Sequence, residues 1–415
     1  MRNSKKYIYL FFLRSFSVLL MLGFNFYLIK NLADEAIGLF YLTMTMSYIG
    51  NAFVFVGCDL FIQRKLVYLQ DDFSIHQESF FKFIFATSVI GILLITLFSS
   101  LFFISIQPSS IDVVLGIASC CFLSLSVYYG NLIKNLFQLA NKQYKASFFQ
   151  IFDACLKFSV FIYIFHTLQP DEKKVQVSIL TYSVILVIVS LSFMLAAFKN
   201  NVEHKWRIDT IGQVTSRILP IGFSGVLNWV QLQGYRPYLA AIQAQKELGI
   251  VSYMTSLAST ATASVLSVIN QIAIPKIYQS SGEYIHFHLK VILFVSLIIS
   301  VCSIPAGYLF FLMANKLSYT AYLYILPIGV LQEAVNAVIG AYTHVFNVRD
   351  NKLSVFVECS GLGSAVVIFS LLYDYMFGSD KVLLVCLAIL VSQLTVCGYV
   401  IYKASKGYKC HVTRV

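Results

Sequence analysis

The ten residues ADEAIGLFYL at positions 33–42 return in altered form as AQKELGIVSY at 244–253, with alanines and glycines in register at an offset of 211. Gly38 falls over Gly249 and, further on, Lys65 over Lys276. Two more matches keep the same order. NKQYKASFF from Asn141 stands over NKLSVFVEC from Asn351 at an offset of 210, and Ser124, Asn131 and Asn135 stand over Glu333, Gly340 and His344 at 209. Chance likeness between apolar helices competes as the explanation of any one match. Three in one order, at nearly one spacing, predict a chain built twice.

Composition says what each copy is made of. Of 415 residues, 58% are hydrophobic and 12% charged, with a mean hydropathy of +0.77. Soluble domains sit near roughly 45–50% apolar and about 25% charged, so this is a membrane chain. A helix needs about 20 mostly apolar residues to cross the hydrocarbon. Twelve segments qualify: 7–29, 36–57, 80–104, 111–133, 147–166, 176–198, 218–241, 248–272, 288–312, 320–345, 353–377 and 382–402. Six crossings return the chain to its starting side, so the copies run parallel about an axis along the membrane normal. The expected fold is an all-α polytopic membrane protein with twelve transmembrane helices, in two pseudo-symmetric six-helix lobes around a central cavity. Residues 1–200 form the first lobe, 201–217 a cytoplasmic linker and 218–415 the second.

Of the 30 Lys and Arg, 18 fall on the side of the termini, 6 on the other, and 6 within or at the edge of spans. The bias places both termini in the cytoplasm. The formal charge of +11 mostly records it, and a nucleic-acid partner need not be invoked. Arg2, Lys5 and Lys6 lead straight into the first span with no cleavage site, so that span is expected to be retained. The longest connections, 58–79 and 199–217, are cytoplasmic and too short for a soluble catalytic domain; the first reads equally as an interfacial helix or a solvated loop. Most of the nine cysteines lie in apolar stretches, and none makes a CxxC or Cys/His cluster. His286 and His288 have no acid or thiol set nearby. No metal, cofactor or enzymatic activity is expected.

Within so apolar a chain, QLQGYRPYLAAIQ at 231–243 is unusual. A cation at the centre of a membrane helix costs about 2.5–3.5 kcal/mol on insertion scales, so it faces a cavity or a partner unless it snorkels to the surface. Arg236 is read as cavity-facing. Pro237 lacks an amide hydrogen and clashes with the preceding turn, so the helix should bend or break near Gly234, a hinge beside a charge. Asn228, Gln231, Tyr235 and Tyr238 lie at helical spacing. In the first helix Arg14, Ser17, Met21 and Asn25 share a face. The eighth span carries many hydroxyls and amides, among them Ser256, Ser259 and Asn270, which suit either close helix packing or a wet, sugar-facing surface. In the tenth, Glu333 and His344 fall on one stripe and suit either ion coupling or plain polar ends. Asp153 and Lys157 form an i, i+4 pair that neutralises itself, and Glu358 calls for a cation that the sequence does not single out.

NLADEAIGLFYLTMTMSYIGNAFVFVGCDLFIQRK from Asn31 resembles the opening of polysaccharide-export flippases, and RPYLAAIQAQKELGIVSYMTSLAS from Arg236 is similar to the equivalent place in their second half. The likeness spans the whole chain and points to the Wzx-type O-antigen flippases of the multidrug/oligosaccharidyl-lipid/polysaccharide (MOP) exporter superfamily. Members often carry an acid immediately before the basic residue of the seventh helix; Tyr235 stands there instead. The resemblance implies a bacterial inner-membrane flippase for an undecaprenyl-pyrophosphate-linked oligosaccharide, working beside a polysaccharide polymerase and a chain-length regulator within membrane lipid. Arg14 and Arg236 would hold the pyrophosphate, a group that suits arginine. Asn25, Asn228, Gln231, Tyr235, Ser256, Ser259 and Asn270 would line the sugar path, and Gly234 and Pro237 would form the hinge. Competing readings are a multidrug exporter, disfavoured by cations without an excess of intramembrane acids, and a polymerase or lipid-dependent glycosyltransferase. The last would be expected to show a long outer loop, which the span pattern lacks.

Overall fold

The computed structural model describes residues 2–55, 58, 77–106, 110–139, 143–168, 171–198, 211–280, 282–348, 354–378 and 380–412. Every regular element among them is helical. In order these are α1 (Arg2–Asn31), α2 (Asp34–Gly50) running into a π-helical turn (Asn51–Phe55), α3 (Gln77–Ile106), α4 (Ser110–Leu139), α5 (Gln143–Thr167) and α6 (Asp171–Phe198). Then follow α7 (Ile211–Gln233), α8 (Tyr235–Ala241), α9 (Gln245–Gln279), α10 (Ile285–Met313), a 3₁₀ turn (Leu317–Tyr322), α11 (Ile325–Val348), α12 (Ser354–Phe377) and α13 (Lys381–Val412). Among the described residues nine helical stretches are long and apolar enough to cross a membrane. The hydroxyl-rich α9 is not one of them, because its Ser and Thr dilute an otherwise apolar sequence. The interfacial helix considered for 58–79 lies outside the described residues, apart from Cys58 and the opening of α3. Most of the expected linker, 201–210, lies outside them too.

The duplication reappears in the helix ends. Asn31 and Ala241 close α1 and α8, Asp34 and Gln245 open α2 and α9, Leu139 and Val348 close α4 and α11, and Asp171 and Lys381 open α6 and α13; each pair lies 209–211 residues apart. Packing repeats as well: α3 on α4, α4 on α6 and α5 on α6 recur as α10 on α11, α11 on α13 and α12 on α13. Only α1 is answered by two helices, α7 and α8, because its counterpart is broken.

Contacts divide the chain into two units. Unit 1 takes Met1–Met21, Leu39–Trp229 and Ala240–Gln243; unit 2 takes Leu22–Gly38, Val230–Leu239 and Ala244–Val415. In unit 1 the Phe55 ring stacks on Tyr128 with centroids 4.2 Å apart. Gly91 makes the room, since a β-carbon there would lie 2.3 Å from that ring. Tyr129 and Ser88 share a 2.8 Å hydrogen bond, so the neighbouring phenol is satisfied across α3 and α4. In unit 2 an apolar core joins Leu266 and Ile277 of α9, Ile292 of α10, Val338 of α11, Cys359 of α12 and Val396 of α13.

Candidate functional site

Helix α7 ends at Gln233, Gly234 forms a turn, and α8 carries on for Tyr235–Ala241. The Gly234 amide still donates to the Val230 carbonyl at 3.0 Å, but the next bond, Tyr238 N–H to Gly234, stretches to 3.4 Å. Pro237 has no N–H to give Gln233, so the ladder opens where the sequence predicted. A β-carbon on Gly234 would come within 2.5 Å of the Val230 carbonyl oxygen. Glycine is what this turn admits.

Arg236 lies five residues before the end of α8, about 7.5 Å along the axis at 1.5 Å per residue. It is 8% exposed. Its Nε–H donates to the Tyr235 hydroxyl at 2.9 Å, with the guanidinium 5.4 Å from that ring's centroid. The phenol in turn meets Ser252 Oγ of α9 at 3.3 Å. Where the resembled family often has an acid, this chain has a hydroxyl that accepts from the guanidinium. Two residues on, the Tyr238 hydroxyl donates to Asp374 Oδ2 of α12 at 2.8 Å, and Asp374 is 2% exposed. One short helix thus presents a fixed cation and reaches a buried carboxylate.

A second, half-buried charge set lies in unit 1. Lys157 Nζ stands 5.5 Å from the Phe40 ring and 5.9 Å from the Tyr182 ring, and the Tyr182 hydroxyl donates to Asp153. The expected i, i+4 pair sits in an aromatic cage made by α2 and α6.

Three solved structures share this architecture. The lipid II flippase MurJ in an inward closed conformation matches with a TM-score of 0.70 at 14% identity, over 96% of this chain and 87% of that one. An outward-facing multidrug resistance transporter of the MATE family matches at 0.64 and 12%, over 97% and 96%. A MOP superfamily transporter from Pyrococcus furiosus matches at 0.55 and 14%, over 97% and 95%. No protein-family model and no curated protein sequence matches the chain.

The chain shares the fold of these transporters.

The other expected site residues fall in both units. In unit 2, Asn25 is 6% exposed, and its backbone carbonyl accepts from the Tyr253 hydroxyl at 2.9 Å, one residue from the Ser252 that holds Tyr235. Asn25 and Tyr235, 210 residues apart like the ends of α1 and α8, thus meet neighbouring positions of α9. Gln231 is 3% exposed and donates to Ser392 Oγ of α13 at 3.2 Å, lying against Gly363 of α12. Its amide joins helices in this structure. Ser259 donates to the Ser256 carbonyl at 3.2 Å, Thr255 to Val251 at 2.7 Å and Thr262 to Ala258 at 2.8 Å, so these α9 hydroxyls are satisfied by their own helix. Gly329 of α11 packs directly on Ala258, which favours close packing on that face. Asn270 keeps a buried Oδ1 with no hydrogen-bond partner among the described residues. Glu333 is half-buried on α11, and the side chain of His344 lies outside the described residues. In unit 1, Asn228 is exposed on α7, and the side chain of Arg14 on α1 is likewise outside them.

Several partners escaped the sequence reading. Glu358 receives Lys403 Nζ at 2.9 Å and the Tyr399 hydroxyl at 2.7 Å, from 45 and 41 residues away. Only the packing of α12 on α13 could reveal that cation. Asp374 did carry a signal, an acid inside the otherwise apolar SLLYDYMF.

Proposed function

We propose that this chain is a flippase of the bacterial inner membrane, with twelve spans in two six-helix lobes and both termini cytoplasmic. It moves an undecaprenyl-pyrophosphate-linked oligosaccharide, an O-antigen or related repeat unit, from the cytoplasmic to the periplasmic leaflet by ion-coupled alternating access. The observation that supports this reading is Arg236: a buried guanidinium, held by a phenol and seated beside a helix break. Such a group suits a diphosphate and repels a cationic drug. A solved flippase for a lipid-linked cargo has the same fold. Arg14 is assigned to the same anion, Asn25 and Asn228 to the sugar path, and Gly234 with Pro237 to the hinge. A polymerase and a chain-length regulator would take the cargo onward.

A second reading, a MATE-like drug exporter, has its own support. The chain covers 96% of the MATE structure but 87% of MurJ, and Asp374 supplies a buried acid beside α8.

Deleting the gene in its native strain and complementing with wild type or Arg236→Ala separates the two. Under the flippase reading, surface polymer falls and lipid-linked repeat units accumulate facing the cytoplasm. Wild type restores both, and Arg236→Ala restores about tenfold less, as expected for a lost charge-assisted contact. Repeat units stranded on the periplasmic face would point to a polymerase. Unchanged polymer with lost resistance to organic cations would establish drug export instead.

A further inference from the structure

Residues Leu22–Gly38 belong to the first copy by sequence and to unit 2 by contact. Leu28 and Ile29 of this segment have no exposed surface, and Phe24, Leu32, Ala36 and Ile37 have at most 3%. Three kinds of contact hold it. The first is a reciprocal backbone interlock at the duplicated glycines. A β-carbon on Gly38 would lie 2.6 Å from the Gln245 carbonyl oxygen, and one on Gly249 would lie 2.3 Å from that of Asp34. Asp34 and Gln245 are themselves repeat equivalents, so the contact has two-fold character. The second is local to α1: Tyr253 donates to the Asn25 carbonyl, and the Phe26 and Phe310 rings meet edge to face at 5.3 Å.

The third kind is ionic. Asp34 Oδ1 accepts from Lys316 Nζ at 3.5 Å and from the Tyr319 hydroxyl at 3.0 Å, while Lys316 also donates to the Leu32 carbonyl at 3.2 Å. The donors are positioned. Asn315 takes φ +56°, a left-handed conformation asparagine tolerates, which ends α10 and turns Lys316 back. The Tyr319 ring is stacked on Phe311 at 5.3 Å and met edge-on by Tyr253 at 6.1 Å. The side chains of Lys316 and Asp34 keep 25% and 19% exposure, so the pair is open to exchange. Duplication did not impose it, because Gln245 carries no charge.

We propose that Leu22–Gly38 is a lid latched by Asp34 on Lys316 and Tyr319, and that its release uncovers the Tyr253–Ser252–Tyr235–Arg236 cluster at this end of unit 2. The role of the uncovered cluster rests on the flippase reading; the latch itself is tested without any cargo.

The test is hydrogen–deuterium exchange of the full chain in lipid nanodiscs. Lys316→Met and Asp34→Asn should each speed exchange across residues 22–38 about fivefold, the factor near 1 kcal/mol. The double variant should exceed either single by less than the sum of the two, since Lys316 also reaches the Leu32 carbonyl and Asp34 also accepts from Tyr319; Lys316→Arg should match wild type, and α5 and α6 should not change. Unchanged exchange at 22–38, additive effects, or an equal rise in α5 and α6 would each overturn the latch. So would a response to Asp34→Asn that neither Lys316→Met nor Tyr319→Phe shares, since the carboxylate would then serve only the first turn of α2. Failed complementation by the wild-type gene would remove the flippase reading and leave these rates as they are.

Discussion

At the scale of the residue, the chain keeps its membrane charges by giving each a different kind of company. Arg236 has a phenol, and Lys157 has a carboxylate and two rings. The presence of these charges was legible, because a cation in an apolar run stands out by itself. Their partners were legible only when a helical turn away, as with Asp153 and Lys157. Gln231 and Ser392 are 161 residues apart, and Lys316 and Asp34 are 282, distances that only tertiary packing closes. The Lys157 cage makes a clear prediction. Removing one member of a half-buried charge pair costs more than losing one hydrogen bond, which is about 1 kcal/mol. Asp153→Asn should therefore lower the thermal midpoint of the purified protein well below that of Tyr182→Phe. Replacing Asp153 and Lys157 together by leucine should recover most of the loss. A double variant as unstable as Asp153→Asn would mean that the charges serve something besides each other.

Among the elements, the α7–α8 break is where stability and motion should part. Gly234 and Pro237, a helical turn apart in QLQGYRPY, made the break readable, since each disturbs a helix by a known mechanism. The π-helical turn at Asn51–Phe55 was not readable, although Gly222 and Gly225 of α7 hinted at a close approach: β-carbons there would lie 2.2 Å from the Phe53 and Ala52 carbonyl oxygens. Glycines announce that something comes near without saying what. Pro237→Ala returns an N–H to α8 and gives the Gln233 carbonyl a helical partner, a gain of about 1 kcal/mol. The variant should melt higher than wild type and complement the deletion less well, because a continuous helix resists bending. Both are read on the same variant, by thermal unfolding and by surface polymer. A variant that melts higher and complements fully would show that the break is architecture rather than hinge.

For the whole molecule, a repeat was the most legible property, and the offset first seen in one glycine register returns in several helix ends. What the duplication hides is that contacts ignore its seam. Residues 22–38 and 211–229 each lie in the unit opposite to their copy, because a repeat is inherited along the chain whereas packing is settled in space. The sequence also predicts a direction across the membrane, through the 18 to 6 division of basic residues, and it can be tested directly. Alkaline phosphatase, active only outside the cytoplasm, should be active when fused after Leu168 or Asn315 and inactive after Leu139 or Val412. With that outcome the Asp34–Lys316 end of unit 2 faces the periplasm, and Arg236, about 7.5 Å from the end of α8, meets the diphosphate where cargo is released. The inverse pattern would place the same arginine at the side of pickup. Arg236→Ala would then impair binding of cargo before it impaired delivery, and the lid at Leu22–Gly38 would guard the entrance.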